Sequence, residues 1–153
     1  MIWDLINNDI MWVSIVASSL AQFLKPLTYW WRLKEFDWHH ISATGGMPSS
    51  HAALISALAT GLGLEYGFDS PLFAIAVVIS MIVTYDAQGV RRQAGEHGRA
   101  INQIIAELLS GQEIGEKEFQ EVLGHSRVEV AAGVLFGVAI MLAWKFLIQP
   151  LFI

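Results

Sequence analysis

The chain has 153 residues, 54% of them hydrophobic and 15% charged, with a formal net charge of −5 and no cysteine. Its mean hydropathy of +0.49 is far above what a soluble domain needs, so residues 1–153 are predicted to form one integral membrane domain. The absence of cysteine excludes a disulfide framework and a thiolate metal site, and the absence of a dense basic run excludes nucleic acid as a partner.

The N-terminus, Met1-Ile2-Trp3-Asp4, has no basic segment ahead of its first apolar run, so no removable signal peptide is expected. Ile10 to Leu24 forms a short first spanning candidate that Leu5-Ile6 would extend upstream, with Lys25 at its end. Trp30, Trp31 and Trp38 follow it, as aromatic residues do at a membrane interface. A second span is expected from Ser50 to Leu64, rich in Ala and Leu. The third, Pro71 to Tyr85, has Ser70 or Asp69 as its cap and Pro71 at its first helical position. Between the third and fourth spans lies a polar stretch, residues 86–127. Within it Ala100-Ile101-Ile104-Ile105-Leu108-Leu109 and Phe119-Val122-Leu123 repeat at helical spacing and are expected to form amphipathic interfacial helices. The fourth span, Val128 to Ile148, has the length a bilayer core requires. The expected fold is therefore an all-α membrane bundle of about four spans plus short interfacial helices.

Basic residues set the expected orientation. Lys25, Arg32, Lys34, Arg91, Arg92, Arg99, Lys117 and Arg127 fall in the two long connections. Residues 65–70 have no basic residue, and the C-terminal end has only Lys145. The positive-inside rule then places both long connections in the cytoplasm and both termini on the opposite side.

Polar residues gather at that same end. Gly45-Gly46-Met47-Pro48-Ser49-Ser50-His51 is a small-residue turn leading into a helix, and such backbone can wrap its N–H groups around an anion. Lys25 comes there from the first span, Arg91 and Arg92 from the third, and His125 with Glu129 from the fourth. His125 and Glu129 are four apart, so they share a helix face, and the carboxylate is expected to accept the Nδ1–H and leave Nε2 free as a nucleophile or base.

Plainer readings stand beside these. Pro48-Ser49-Ser50-His51 also reads as an ordinary helix start with a serine cap, and His125-x3-Glu129 as an ordinary surface pair. Arg91 and Arg92 also suit lipid-facing anchors, and Lys25 and Arg32 suit snorkelling side chains. His39 and His40 lack the carboxylate spacing of a metal site and are expected at the interface, and His97 and Asn102 suit surface positions equally well. Asp86, costly at the end of a span unless paired, is expected to orient Arg91, Arg92 or His97. Gly61, Gly63 and Gly133-x3-Gly137 are expected to allow close helix packing.

The order Lys25-x6-Arg32, Pro48-Ser49-Ser50-His51, His125-x3-Glu129-Val130-x2-Gly133 resembles the type 2 phosphatidic acid phosphatase (PAP2) superfamily, which includes vanadium haloperoxidases. Gly45 to His51, Tyr85-Asp86-Ala87-Gln88-Gly89-Val90-Arg91-Arg92 and Gly124-His125 are most similar to its divergent branch, DUF212 or the YuiD-like proteins. The resemblance covers roughly residues 20 to 140 and implies a PAP2-like bundle and a metal-independent, cofactor-free lipid-phosphate phosphatase. It implies His125 as the nucleophile forming a phosphohistidine, Glu129 in the place usually held by Asp, and His51 as the acid that protonates the leaving oxygen. Lys25, Arg32, Ser50 and the backbone at Gly46 would bind phosphoryl oxygens, vanadate would inhibit, and phosphatidylglycerophosphate or phosphatidic acid would be suitable substrates.

Three positions depart from the superfamily pattern. Ser50 replaces Gly, Leu33 replaces Pro, and Glu118-Phe119 stand where a Ser-Arg pair is usual. Arg91 or Arg92 would then supply the missing phosphate-binding charge. The alternative is a non-catalytic membrane protein that holds anionic lipid head groups or a partner in a retained phosphate pocket. A homo-oligomer is left open, and a channel is disfavoured because the polar residues gather at one interface.

Overall fold

The computed structural model of the chain describes residues 2–34, 45–89, 97, 98, 100–102, 104, 105 and 125–152. Its principal elements are all helical: α1 (Ile2–Ile6), α2 (Asp9–Leu33), α3 (Ser50–Tyr66), α4 (Pro71–Gln88) and α5 (Arg127–Ala143). α5 runs on into a π-helical segment (Trp144–Ile148) and a 3-10 turn (Gln149–Leu151).

Local chemistry sets most of the boundaries. Asn8 stops α1 from continuing and caps α2, its side-chain oxygen accepting from the Met11 N–H at 3.0 Å. Ser49 caps α3, Ser70 caps α4 with Pro71 at its start, and Ser126 caps α5. In each case the serine oxygen accepts one of the backbone N–H groups that a helix start leaves unpaired.

Among the described residues, three helical stretches are long and apolar enough to cross a membrane: Asp9–Trp31, Pro71–Gln88 and Arg127–Leu151. The expectation of about four spans is corrected at Ser50–Leu64. That segment becomes α3, 17 residues long and not among those three stretches. α3 is instead the central helix, packed against α2, α4 and α5. Small side chains allow this, for Ala52, Ala53, Ser56, Ala57, Ala59, Gly61 and Gly63 are all buried. The first span is corrected as well. It does not extend upstream through Leu5-Ile6 but downstream past Lys25 and Pro26, because Asn8 caps it on one side and Lys25 is buried within the bundle on the other.

The α3–α5 crossing is the tightest contact. A Cβ at Gly133 would overlap the carbonyl oxygen of Ser49, and one at Gly137 would overlap the carbonyl oxygen of Ala53 and the hydroxyl of Ser56. With hydrogens at both positions the helices approach closely enough for Ser56 Oγ to donate to the Val134 carbonyl at 3.1 Å. This is the close packing expected of Gly133-x3-Gly137, and in lipid it replaces the hydrophobic drive that water would supply. The outside of the bundle is apolar: on α4 alone Leu72, Ile75, Val78, Ile79, Met81 and Ile82 are exposed, as lipid-facing positions must be.

Of the interfacial features, Trp30 and Trp31 lie on the last turns of α2 and are exposed, whereas Trp38 lies outside the described residues. Residues 100–102, 104 and 105 are helical, with Ile101 and Ile104 exposed. Leu108, Leu109 and the Phe119-Val122-Leu123 segment lie outside the described residues.

Candidate phosphate site at the start of α3 and α5

One end of the bundle collects the C-terminal ends of α2 and α4 and the N-terminal starts of α3 and α5. Backbone hydrogen bonds tie these ends together. The Ser49 N–H donates to the Glu129 carbonyl, and the His125 N–H donates to the Ala87 carbonyl, each at 3.1 Å. The turn before α3 is fastened to α2 by Thr28, whose hydroxyl is shared between the carbonyls of Met47 at 2.5 Å and Lys25 at 2.9 Å. Gly46 has φ +94°, a conformation that disfavours a side chain, and a Cβ there would lie 2.7 Å from the Tyr29 ring. The Gly-Gly turn is thus buried beneath Tyr29, one helical turn beyond Lys25.

Three predicted polar residues are buried at this end. Lys25 is 1% exposed, His125 3% and Ser50 8%. Glu129 is close enough for its negative charge to act favourably on the Lys25 ammonium, which a buried cation needs. His125 Nδ1 stands 3.5 Å from Glu129 Oε2, and the expected Nδ1–H bond is not closed. That carboxylate oxygen accepts instead from the Ser126 N–H at 3.0 Å, completing a capping box with the Ser126 hydroxyl. Both ring nitrogens of His125 are buried without a hydrogen-bond partner among the described residues. A buried polar atom without a hydrogen bond costs about 1–3 kcal/mol.

His51 occupies the second position of α3, but its side chain is exposed, so the two histidines do not share one buried environment. Ser49, not Ser50, is the cap, its hydroxyl accepting from the Ala52 N–H at 3.4 Å. Asp86 is half-buried, directly before the Ala87 carbonyl that holds the His125 backbone. Arg32 lies on the last turn of α2. Arg91, Arg92, His39, His40, Glu118 and Phe119 lie outside the described residues. His97 is exposed and Asn102 half-buried. No group of three or more His, Asp or Glu side chains among the described residues is arranged to hold a metal ion.

Thr28, Tyr29, Ala87 and Ser126 were missed by sequence reasoning. Only Ser126 carried a readable signal, the Ser-x-x-Glu spacing of a capping box. The others act through a hydroxyl, a ring face and a carbonyl whose partners are distant in sequence.

Residues 6–140 match the divergent PAP2 family, DUF212. The chain belongs to that family. It is also 35% identical over 150 residues to the uncharacterized membrane protein YuiD of Bacillus subtilis (strain 168), an alignment covering 91% of this chain and 95% of the relative. No solved structure matches the chain. The family match spans the buried imidazole, the Gly-Gly turn and the α3–α5 crossing, so these features belong to the matched region rather than to a peripheral addition.

Proposed function

We propose that this divergent PAP2 protein is a membrane lipid-phosphate phosphatase acting on a phosphomonoester or diphosphate head group, with phosphatidylglycerophosphate and phosphatidic acid as the substrates to test first. The observation that carries this reading is the buried imidazole of His125, without a hydrogen bond among the described residues and beside the Glu129 carboxylate, at the bundle end that also buries Lys25. His125 Nε2 attacks phosphorus, forming a P–N bond as the P–O bond to the lipid breaks, while Nδ1–H turns to Glu129. His51 protonates the departing oxygen. Water then attacks the phosphohistidine, gives its proton to His51, and releases inorganic phosphate with His125 restored.

Lys25, the Ser50 hydroxyl and the backbone N–H at Gly46 stabilise the phosphoryl oxygens, joined in this reading by Arg32, Arg91 and Arg92, with Asp86 orienting an arginine. The site faces the cytoplasm and both termini the opposite side, as the distribution of Lys and Arg suggests. A lipid head group enters there while its chains stay in the bilayer. Phosphate release from a panel of lipid phosphates, measured for the purified protein beside His125→Ala and His51→Ala, tests the proposal. Release from wild type that is lost in His125→Ala and reduced in His51→Ala is expected, with vanadate inhibiting. No release from any substrate, or release unchanged in both variants, overturns it.

One observation favours the non-catalytic alternative. Glu129 Oε2 is already engaged by the Ser126 N–H, which suits a pocket that binds an anionic head group without turning it over. Binding of phosphatidic acid that depends on Lys25, with no phosphate released, is the result that would select it.

A further inference from the structure

A cavity of about 420 Å³ opens at the other end of the bundle, where α2 begins and α3 and α5 end. The 17 residues of α3 separate it from His125 by about 25 Å. Its wall includes Asp4, Asp9, Glu65, Lys145, Trp144 and Gln149, so both signs of charge are present, with carboxylates in excess. Lys145 Nζ and Glu65 Oε2 pair at 2.6 Å, and both side chains remain partly exposed.

A second observation concerns Trp144. Its indole Nε1 is buried and has no hydrogen-bond acceptor among the described residues, although an indole N–H can only donate. The backbone from Trp144 to Ile148 is π-helical, an irregularity that tends to mark functional sites. The geometry calls for a ligand that brings an oxygen acceptor to Trp144 and Lys145 and a cationic donor to the carboxylates.

We propose that this cavity binds a zwitterionic head group of the phosphoethanolamine type, its phosphate oxygens at Trp144 Nε1–H and Lys145 and its ammonium at Asp9 and Glu65. The volume exceeds what an inorganic ion fills and lies within the range of small-molecule sites. Its depth agrees, since the first candidate span begins at Asp9 and the last ends at Leu151, which puts the cavity at head-group level. An anionic head group such as phosphatidylglycerol lacks the ammonium and would meet the carboxylates unfavourably. The proposal does not depend on the phosphatase reading.

The test uses the full chain in detergent, with binding of phosphatidylethanolamine and phosphatidylglycerol measured by native mass spectrometry and calorimetry. Phosphatidylethanolamine is expected to bind about tenfold more tightly, with Trp144→Phe and Asp9→Asn each weakening it about fivefold, as the loss of one hydrogen bond or ion contact would. His125→Ala is expected to leave this binding unchanged. Circular dichroism checks each variant's fold, and Asp9→Asn, at the first turn of α2, keeps the test open if Trp144→Phe unfolds. Binding of free phosphoethanolamine would assign the site to soluble zwitterions as well, and binding of the lipid alone would assign it to the bilayer. Equal binding of the two lipids, or binding unaltered in every folded variant, overturns the proposal.

Discussion

The backbone N–H of Ser49 donates to the carbonyl oxygen of Glu129 at 3.1 Å, joining the cap of α3 to the first turn of α5. Two residues from different helix starts are thereby held at backbone distance, and the side chains beside them, Ser50 and His125, are buried at the same end. This contact needs the close approach that Gly133 and Gly137 permit.

Substitution of either glycine is expected to destabilise the bundle. A methyl group at Gly133 meets the Ser49 carbonyl and one at Gly137 meets the Ala53 carbonyl, and overpacking against backbone costs about 1–3 kcal/mol or more. Gly133→Ala and Gly137→Ala should lower the thermal unfolding midpoint in detergent by several degrees, whereas Ala131→Leu, at an exposed position of α5, should leave it nearly unchanged.

Stability and activity are expected to move in opposite directions at His125. Replacing a buried imidazole that lacks hydrogen bonds with an apolar side chain is neutral or stabilising. His125→Leu should therefore match or exceed wild type in thermal stability while losing phosphate release by roughly 10³-fold or more, as loss of a nucleophile does. A clear drop in stability would show that the ring is held for packing.

Lys25 and Glu129 are expected to be energetically coupled. Glu129 acts favourably on a buried ammonium, and removing one member of a buried pair leaves the other uncompensated. Glu129→Gln should cost more than Ser126→Ala, which removes only the cap hydroxyl and about 1 kcal/mol. In a double-mutant cycle Lys25→Met with Glu129→Gln should be less destabilised than the two singles added, by about 0.5–3 kcal/mol. Additive losses would place the Glu129 contribution in the capping box alone.

Orientation can be read with introduced cysteines, because the chain has none of its own. Asn7 and His51 are both exposed, near opposite ends of the bundle. In intact cells a membrane-impermeant maleimide is expected to label Asn7→Cys directly and His51→Cys only after permeabilisation. The reverse pattern would put the His125 end outside.

Local signals were legible where they depend on neighbours along the chain. Ser70 with Pro71 marked the start of α4, the long apolar run marked α5, and Gly133-x3-Gly137 marked a close helix contact. Lys25 was misplaced at the end of a span because charge usually stops one. Here the helix continues, since Lys25 faces the bundle near Glu129 rather than lipid. The second apolar run looked like another span because composition does not reveal which sides of a helix meet protein.

By itself, then, the sequence determined a helical membrane protein, most of its helix starts, and the residue types that cluster at one end. Only the tertiary structure decided that α3 is the buried centre of the bundle. It also decided that the His125 ring is buried without a hydrogen bond among the described residues while His51 stays exposed, and that Glu129 answers to Ser126 as well as to His125. Caps and apolar runs are fixed within a few residues of chain, whereas burial and pairing depend on which distant helix supplies the neighbouring atoms.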